Sequence, residues 1–397
     1  MKKGNEIKTI VPALRFPEFQ DMNEWEENKL NSLCDIVNGK CNAQDHVEGG
    51  KYPLFDRSAV VKYSNDYLYD CEAIIIPGEG VKFIPKYYIG KFNLHQRAYA
   101  LKDFSCNGRF LFYCMEYYSG LLAIKAVKST VLSLRLPILQ NFLLYIPNNN
   151  TEQQKIADCL SSLDELIEAT AQKVDALKEH KKGLMQRLFP AEGKNVPDLR
   201  FPEFQEKKEW KEKQLGNIGE IITGNTPSTK DITNYGGNKL FVSPADISSN
   251  RYVSDTKIKL TTDKGFSVGR YIPAKSVLFV CIGSTIGKVA QNKFECITNQ
   301  QINSIVPYEE YLSDFIYSVL EHKASQIAML AGQQAVPIIN KTLFSSISIL
   351  VPPQKEEQQK IADCFSSLDE LIEATSRKVE ILKEHKKGLM QQLFPKI

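Results

Sequence analysis

The segment from Gly283 to Lys288 carries the residue types of a phosphate-binding loop. Its sequence is Gly-Ser-Thr-Ile-Gly-Lys, in which glycines allow a close backbone approach and the lysine supplies a positive charge. The spacing between the glycines is one residue short, however, and Val289 stands where a Ser or Thr would ligate magnesium. The sequence therefore argues against nucleotide binding. A turn that holds backbone amides and Lys288 near a DNA phosphate is the alternative that remains.

Residues that could support catalysis are few and poorly spaced. Asp246 and Asp255, with Lys257, loosely resemble the carboxylate–lysine cluster of a metal nuclease, but the spacing is irregular and no third acid is apparent. They are better interpreted as part of a polar loop between strands. Methyl transfer to an amino group would need a Pro-Pro-aromatic motif, and the Pro352-Pro353 pair lacks the aromatic residue. We predict no catalytic residue and no metal site.

The bulk properties are those of an ordinary globular protein. Of the 397 residues, 43% are hydrophobic and 24% are charged. No apolar run approaches the ~18 residues that a membrane span needs, and we expect no secretory signal. Nine cysteines without a C-x-x-C pair favour free thiols in a reducing compartment. We therefore expect a cytoplasmic protein, whose net charge of +3 permits DNA binding without arguing for it.

A long internal repeat dominates the sequence. Residues 152–190 recur as residues 357–395 with only six differences over 39 positions. A shorter repeat, residues 11–20 and 196–205, precedes two globular stretches that share almost no residue-by-residue likeness. The chain is therefore a tandem duplication with matching frames around dissimilar inserts. Such a pattern is expected where the frame has one mechanical role and the inserts have different roles of the same kind.

The repeated segment predicts a coiled-coil helix. Apolar residues follow a 4-3-4-3 spacing over more than four heptads, and this 3.5-residue period indicates a buried seam. A helix of 39 residues would be ~58 Å long at 1.5 Å per residue. Thr151 with Gln154 suggests a capping box at its start. The predicted seam residues are Ile156, Leu160, Leu163, Ile167, Val174, Leu177, Leu184 and Leu188, then Ile361, Phe365, Leu368, Ile372, Val379, Leu382, Leu389 and Leu393, with Thr170, Lys181, Thr375 and Lys386 as polar members.

Each repeated helix is the obvious partner for the other, and an antiparallel pairing would place the globular domains at opposite ends. We therefore predict a mixed α/β (α+β) fold, a pseudo-two-fold tandem repeat with two globular domains separated by two long antiparallel coiled-coil helices. The predicted segments are 1–150 (first globular domain with its leading segment), 151–190 (central helix), 191–353 (second globular domain with its leading segment) and 354–397 (C-terminal helix). Coiled-coil arms that join separate molecules are the alternative.

Two dissimilar domains, each followed by a matching helix, resemble the specificity subunit of type I restriction–modification enzymes. The resemblance covers essentially the whole chain. The helix signature is Glu152-Gln153, Ile156-Ala157, Leu163-Asp164 and Ile167, repeated from Glu357 to Ile372. Fragments of the globular stretches are also similar to that family, namely Tyr52 to Phe55, Gly78-Glu79-Gly80 and His95 to Ala98 in the first stretch, and Gly224 to Ser228 and Thr298 to Gln301 in the second.

The resemblance implies a DNA-binding role without catalysis. In that family the dissimilar stretches are target recognition domains, each reading half of a bipartite target, and the helices are conserved spacer regions that set the gap. It further implies two methylation subunits docked on this chain and restriction subunits joined through the complex. S-adenosylmethionine, ATP and magnesium would then lie on those partners, and this chain would hold no cofactor. Because the two domains are unlike in sequence, we expect unrelated domains and unrelated half-sites.

Base reading needs hydrogen-bond donors and acceptors on loops, with basic residues anchored on phosphates. The candidates in the first domain are Arg57, Ser58, Lys82, Lys86, Lys91, His95, Gln96 and Arg97. The candidates in the second domain are Thr226, Ser228, Lys230, Ser284, Thr285, Lys288, Asn299, Gln300 and Gln301.

Two other functions stay open on these residues. A free-standing coiled-coil adaptor or oligomerisation protein would show no sequence preference in a DNA pull-down with the methylation partner. A self-contained nuclease would cleave DNA with magnesium and no partner.

Overall fold

The computed structural model describes residues 9–58, 60–128, 131–248, 250–260, 263–332 and 336–397, with Ala43 described by its backbone alone. Residues 1–8, where a secretory signal would begin, lie outside the described residues. By compactness the chain forms unit 1 (Met1–Ala169 and Val379–Ile397) and unit 2 (Thr170–Lys378). This division falls inside both repeated helices, so the four predicted segments stay a prediction.

The globular part of unit 1 contains a six-stranded sheet with helices on one face and a small three-stranded sheet. Its strands are β1 (Thr9–Ile10), β2 (Trp25–Lys29), β3 (Asp35–Asn38), β4 (Tyr52–Phe55), β5 (Lys62–Ser64), β6 (Tyr69–Pro77), β7 (Lys86–Leu94), β8 (Ala98–Lys102) and β9 (Leu143–Ile146). Its short helices are α1 (Leu30–Leu33), α2 (Gly108–Tyr117), α3 (Ser119–Lys125) and α4 (Leu136–Gln140). The large sheet has the order β3-β8-β6-β7-β4-β5, and β1-β2-β9 form a small sheet.

Strand β6 shows why an unbroken apolar run forms a strand here. Ile74 and Ile76 lie in the buried cluster that includes α2, whereas Ala73 and Ile75 lie in a second buried cluster on the opposite face. Successive side chains of a strand point to opposite faces. Because both faces are covered, both sets of positions are apolar.

The globular part of unit 2 is likewise built from β-sheets and helices, with more strands than that of unit 1. They are β10 (Lys211–Gln214), β11 (Gly219–Thr223), β12 (Tyr235–Val242), β13 (Tyr252–Val253), β14 (Lys259–Leu260), β15 (Val277–Val280), β16 (Val289–Asn292), β17 (Cys296–Thr298), β18 (Ile302–Pro307) and β19 (Ser348–Val351). The helices are α6 (Lys264–Val268), α7 (Ser313–Met329) and α8 (Lys341–Ser346). The sheets have the orders β11-β18-β15-β16-β13, β14-β12-β17 and β10-β19.

The two globular domains share a strand order that their residues do not reveal. The order β3-β8-β6-β7 in unit 1 corresponds to β11-β18-β15-β16 in unit 2, and β7-β4-β5 corresponds to β17-β12-β14, with matching parallel and antiparallel senses. The expectation of unrelated domains is therefore wrong for the fold. Burial and chain connection decide which strands pair, and many apolar sequences satisfy the same pattern.

The repeated segments are helices of the predicted length. Helix α5 spans Asn150–Leu188 and α9 spans Lys355–Leu393, 39 residues each, and both contribute residues to both units. The capping box predicted from Thr151 is wrong, because α5 begins at Asn150 and Thr151 lies inside the helix. The Asn149 side chain caps it instead, since its Oδ1 accepts from the Thr151 amide at 2.8 Å. The mixed α/β fold with a duplicated long helix is confirmed.

Within each unit the two helix segments run antiparallel. In unit 1, Lys386 Nζ lies 2.8 Å from Asp164 Oδ1, while earlier turns of α5 share a buried cluster with the end of α9, as Leu160 does with Leu393. In unit 2, Lys181 Nζ lies 2.5 Å from Asp369 Oδ1. These are equivalent pairs of the repeat, so both units contain the same helix pairing.

The predicted seam lies on the covered side of both helices. Each of its apolar members is buried or half-buried, whereas Leu166, Leu371 and Ile381 off the stripe are exposed. The two lysines among its polar members have partners from the globular domains. Lys386 also contacts Glu116 at 2.9 Å, and Lys181 contacts Glu321 at 2.6 Å. Burial raises the pKa of Glu321, and the nearby Lys181 ammonium opposes that shift.

A buried cluster of Arg, Glu and Trp attaches each leading segment to the start of a helix. In unit 1, Arg15 Nε and Nη2 donate to the two carboxylate oxygens of Glu152 at 2.7 Å each, and Trp25 Nε1 donates to Oε1 at 3.1 Å. Arg200, Glu357 and Trp210 repeat the distances in unit 2. Such bidentate, charge-assisted pairs are directional, so they hold the leading segment in one orientation.

All nine cysteines lie in the described part of the chain and are free thiols. Among the described helices, none combines the length and the apolar character that crossing a membrane requires.

Candidate nucleic-acid interface

Each globular domain carries a polar turn at the end of a parallel strand pair. In unit 1, β4 and β7 run parallel at their ends and residues 95–97 follow β7. In unit 2, β12 and β17 run parallel and residues 299–301 follow β17. The carboxyl ends of neighbouring parallel strands meet at one edge, where ligands commonly bind. We name residues 95–97 and residues 299–301 the rim turns.

The two rim turns share a hydrogen-bond pattern but not their side chains. The His95 amide donates to the Phe55 carbonyl at 2.9 Å, and the Asn299 amide donates to the Val242 carbonyl at 3.0 Å. The side chains are His-Gln-Arg in unit 1 and Asn-Gln-Gln in unit 2. The same backbone turn therefore presents a charged arginine in unit 1 and only neutral amide side chains in unit 2.

A repeated glycine permits the close packing behind each rim turn. A Cβ atom on Gly39 would lie 1.9 Å from the Leu94 carbonyl oxygen, and one on Gly224 would lie 2.2 Å from the Thr298 carbonyl oxygen. Neither distance is possible for a real side chain. This contact explains why glycine recurs at the same place in both copies of the repeat.

The rim turn of unit 1 opens on a cleft of about 440 Å³. Five of the eight candidates from the first domain line it, and four further residues do so that were not among the candidates. The lining residues are Arg57, Ser58, His95, Gln96 and Arg97, with Asn42, Asp56, Lys62 and Glu79.

Acidic side chains hold the cations of this cleft. Arg97 Nη1 contacts both carboxylate oxygens of Glu79, at 2.9 and 3.0 Å, and Arg57 Nη1 lies 3.6 Å from Glu79 Oε2. Lys62 Nζ lies 2.8 Å from Asp56. Both arginine side chains are more than half exposed, whereas Glu79 is 21% exposed. The guanidinium groups are therefore held in place and still accessible.

The pKa shifts of the cleft follow from burial and from these partners. Burial alone would raise the pKa of Asp56, but hydrogen bonds from Lys62 and the Ser58 amide outweigh it, and the pKa is lowered. Burial lowers the pKa of His95. His95 is consequently neutral at neutral pH, and its Nδ1 accepts from the Arg97 amide at 3.1 Å.

The three other candidates of the first domain lie outside the cleft lining. Lys86 donates to the Ser58 carbonyl at 2.8 Å, so it supports the loop beneath the cleft. Lys91 lies over the Tyr67 ring at 4.7 Å. Lys82 is exposed on the segment between β6 and β7.

Replacing Glu79 with glutamine should raise the affinity of the protein for DNA of arbitrary sequence. The substitution removes a negative charge from the cleft and releases Arg57 and Arg97 from their counter-ion. An exposed charge pair is worth about 1 kcal/mol at contact distance, which corresponds to about a fivefold change in Kd. Fluorescence anisotropy with a random-sequence duplex at fixed salt measures the change.

Glu48→Gln is the matched control, because Glu48 is exposed and does not line the cleft. It makes the same change in net charge. Equal effects of the two substitutions would mean that net charge, rather than release of the arginines, is responsible.

The rim turn of unit 2 belongs to a polar edge formed by several loops. Thr226 Oγ1 donates to Gln300 Oε1 at 2.6 Å, and Asn299 Nδ2 donates to Gln301 Oε1 at 2.9 Å. Gln301 Nε2 in turn donates to the Ile282 carbonyl at 3.3 Å, beside the turn that carries Ser284 and Thr285. Six of the nine candidates of the second domain therefore belong to loops that meet at this edge.

The remaining candidates of the second domain are placed elsewhere. The Lys288 ammonium donates to the carbonyls of Pro244 at 3.3 Å and Ile247 at 2.8 Å, so it supports a neighbouring turn rather than extending from the Gly283–Gly287 loop. The Ser228 carbonyl accepts from the Asn234 side chain at 3.0 Å. Lys230 is exposed on the following turn.

Sequence reasoning missed a basic residue at the polar edge. Arg270 is exposed, its Nη1 donates to the Thr223 carbonyl at 2.6 Å, and its amide donates to Asn225 Oδ1 at 2.9 Å. Arg270 is distant in sequence from the other edge residues, and only the fold brings it there. In unit 1, Asp56 and Glu79 were missed because a search for DNA ligands favours cations and amides.

The acids considered for a nuclease have structural partners. Asp246 accepts from the Ser243 amide at 2.8 Å and the Lys257 amide at 2.9 Å, so it closes a turn. Asp255 pairs with Lys259 at 2.9 Å. Among the described residues, no group of three or more His, Cys, Asp or Glu side chains is arranged to hold a metal ion.

A family model described as type I restriction modification DNA specificity domain matches residues 22–179 and again residues 207–384. The chain is similar to the specificity subunit of the Haemophilus influenzae type I restriction enzyme HindI, with 30% identity over 173 residues, 43% of this chain and 38% of that protein. It is also similar to the MjaIX specificity subunit of Methanocaldococcus jannaschii, with 29% identity over 191 residues, 47% of this chain and 44% of that protein. Both matches span less than half of the relative.

Solved structures show a similar fold along the whole chain. The S subunit of a type I restriction–modification system from M. genitalium matches with a TM-score of 0.67 at 16% identity, over 98% of this chain and 100% of that chain. A chain from a structure on complex assembly and conformational transition of the type I R-M system matches with a TM-score of 0.55 at 14% identity, over 93% and 97%.

Proposed function

Because this chain belongs to the type I restriction modification DNA specificity family, we propose that it is the subunit that reads the DNA sequence in such a complex. Each globular domain reads one half of a bipartite target. The helices set the gap between the halves and dock the methylation subunits. From here on we call the two globular domains recognition domains.

The pair of rim turns is the observation that carries this proposal. The same backbone turn stands at the same edge of the same sheet order in both domains, and only its side chains differ. A backbone turn that is repeated with different polar side chains is suited to two domains that recognise different short DNA sequences. Arginine can donate two hydrogen bonds to guanine, whereas Asn and Gln can donate to and accept from adenine.

The spacer role rests on the continuity of α5 and α9. Each is a single helix of 39 residues that contributes to both units, and a helix of this length extends ~58 Å. Half-sites read from one face of the duplex have centres roughly one helical turn apart, ~34 Å. A helix pair of this length is long enough to bridge that distance.

We further propose two methylation subunits on this chain, with restriction subunits joined through the complex. The near-identity of the two helices supports two equivalent docking surfaces. S-adenosylmethionine, ATP and magnesium are assigned to those partners, and this chain is proposed to have no turnover alone. A cytoplasmic location is proposed with them, in keeping with the nine free thiols.

Exchanging residues 216–350 for the corresponding stretch of another family member should change one half-site of the methylated target and leave the other half-site and the gap unchanged. The physical reason is that the frame residues of unit 2 stay in place while its polar edge is replaced. Mapping methylated adenines across the genome of a host that carries the complex measures both half-sites.

The double substitution Gln172→Arg and Asp175→Glu copies residues of the second helix into exposed positions of the first and serves as the control. It should leave the methylated target unchanged. If the exchange left both half-sites unchanged, or if the native complex methylated adenines without a sequence motif, the adaptor alternative would replace the reading function. A change in both half-sites would contradict the assignment of one half-site to each domain.

A further inference from the structure

Arg251 is a charged residue buried inside unit 2. It precedes β13, and its side chain is only 2% exposed. Nε donates to Gln291 Oε1 on β16 at 2.6 Å, and Nη1 donates to Ser366 Oγ on α9 at 2.6 Å. Nη2 donates to Asp314 on α7. One guanidinium therefore bonds to the sheet, to the domain helix and to the long helix.

Further contacts restrict the plane of this guanidinium. Its central carbon lies 4.7 Å from the centre of the Tyr317 ring and 5.2 Å from that of Tyr252. Nη1 is also 3.6 Å from Asp369 Oδ2. A planar fork with fixed donor directions cannot keep three such partners if the sheet tilts against α9. Apolar packing alone would allow more sliding, because dispersion and burial are not directional.

Unit 1 is attached by different chemistry at the equivalent place. Asp164, the counterpart of Asp369 in the repeat, accepts from Tyr113 Oη at 2.9 Å and from Lys386. The guanidinium of Arg109 lies 4.7 Å from the centre of the Tyr87 ring. The lysine contact is common to both units, since Lys181 contacts Asp369 in unit 2. The contact that differs is a tyrosine hydroxyl in the first domain and a buried guanidinium in the second.

We infer that Arg251 is a positioning residue that fixes the tilt of the second recognition domain against α9, and that it thereby narrows the range of gap lengths on which that domain can read its half-site. This inference rests on the proposed function. The frame that both units share holds the leading segments and the helix ends, and Arg251 adds a constraint specific to the second domain.

The test compares Arg251→Lys with the native chain in the complex with its methylation subunits. Lysine keeps the charge beside Asp314 and Asp369 but loses the fork. Duplexes that carry the mapped target with its native gap, or with a gap one base pair longer or shorter, are methylated in parallel. Because the variant loses hydrogen bonds from a charged group to its buried partners, we expect the preference for the native gap to fall by about tenfold or more.

Two further variants keep the test decisive. Ser366→Ala removes one partner of the guanidinium and should lower the gap preference in the same direction by a smaller factor, even if Arg251→Lys folds poorly. Arg109→Lys is the matched substitution in unit 1 and should leave the gap preference unchanged.

An equal loss of methylation at every gap in both Arg251→Lys and Ser366→Ala would show a purely structural role and overturn the inference. If the native complex itself showed no preference for sequence or gap, the proposed function would fail instead. The two failures are therefore distinguishable.

Discussion

Replacing Arg15 with methionine should lower the free energy of unfolding of unit 1 by about 3–5 kcal/mol. The Glu152 carboxylate is fully buried and receives both of its guanidinium hydrogen bonds from Arg15. Methionine fills a similar volume but leaves that charge in a low-dielectric interior with only the Trp25 indole as a strong donor. The cost comes from the orphaned carboxylate rather than from lost packing.

The two tryptophans of the chain allow each unit to be followed separately. In a Trp210→Phe background, urea titration followed by tryptophan fluorescence reports on Trp25 and hence on unit 1. Adding Glu152→Gln to Arg15→Met should recover most of the lost stability, because a neutral amide still accepts from the indole. If the double variant were as unstable as Arg15→Met, the buried charge would not be the cause.

Replacing Phe394 with alanine should cost unit 1 about 3–5 kcal/mol as well. Phe394 follows the end of α9 and is 1% exposed. Its ring centre lies 6.4 Å from that of Trp25 and 5.8 Å from that of Phe110. Truncation therefore opens a cavity beside these two rings, where α9 meets the first recognition domain.

The urea titration in the Trp210→Phe background measures this loss in the free energy of unfolding. Phe394→Leu should cost less than about 1.5 kcal/mol, since swaps that nearly conserve volume are tolerated. Phe189 is the matched residue in unit 2, where its ring centre lies 6.4 Å from that of Trp210, and Phe189→Ala in a Trp25→Phe background should show a comparable loss. A Phe394→Ala protein as stable as its parent would mean that the helix end is not anchored by this residue.

Both predictions concern residues that are identical in the two copies of the tandem repeat. This identity was visible in the sequence. Arg15 and Arg200 stand in the shorter repeat, Glu152 and Glu357 stand in the repeated helices, and Trp25 and Trp210 follow the two arginines by the same ten residues. Their association was not predictable, because Arg15 and Glu152 are 137 residues apart. A repeat shows that residues are retained together without showing which of them touch.

For a related reason, the fold brings some of the candidate DNA ligands together and places others elsewhere. The rim turns were selected in both domains because their residue types suit base edges. Lys288 was selected for its charge, yet its ammonium donates to two backbone carbonyls. A sequence displays which groups a residue carries, whereas the direction in which they point depends on the surrounding fold.

The duplication, the length of the long helices, and the stripe on each that is covered could all be predicted from the residues alone. Those features depend on periodicity and identity along one chain, and helix geometry converts them directly into position. Three other features became visible in the fold: two unlike domains share a strand order, Glu79 holds two arginines, and Arg251 is buried between a sheet and two helices. These depend on contacts between residues far apart in the chain, and any one such contact can be made by many residue pairs.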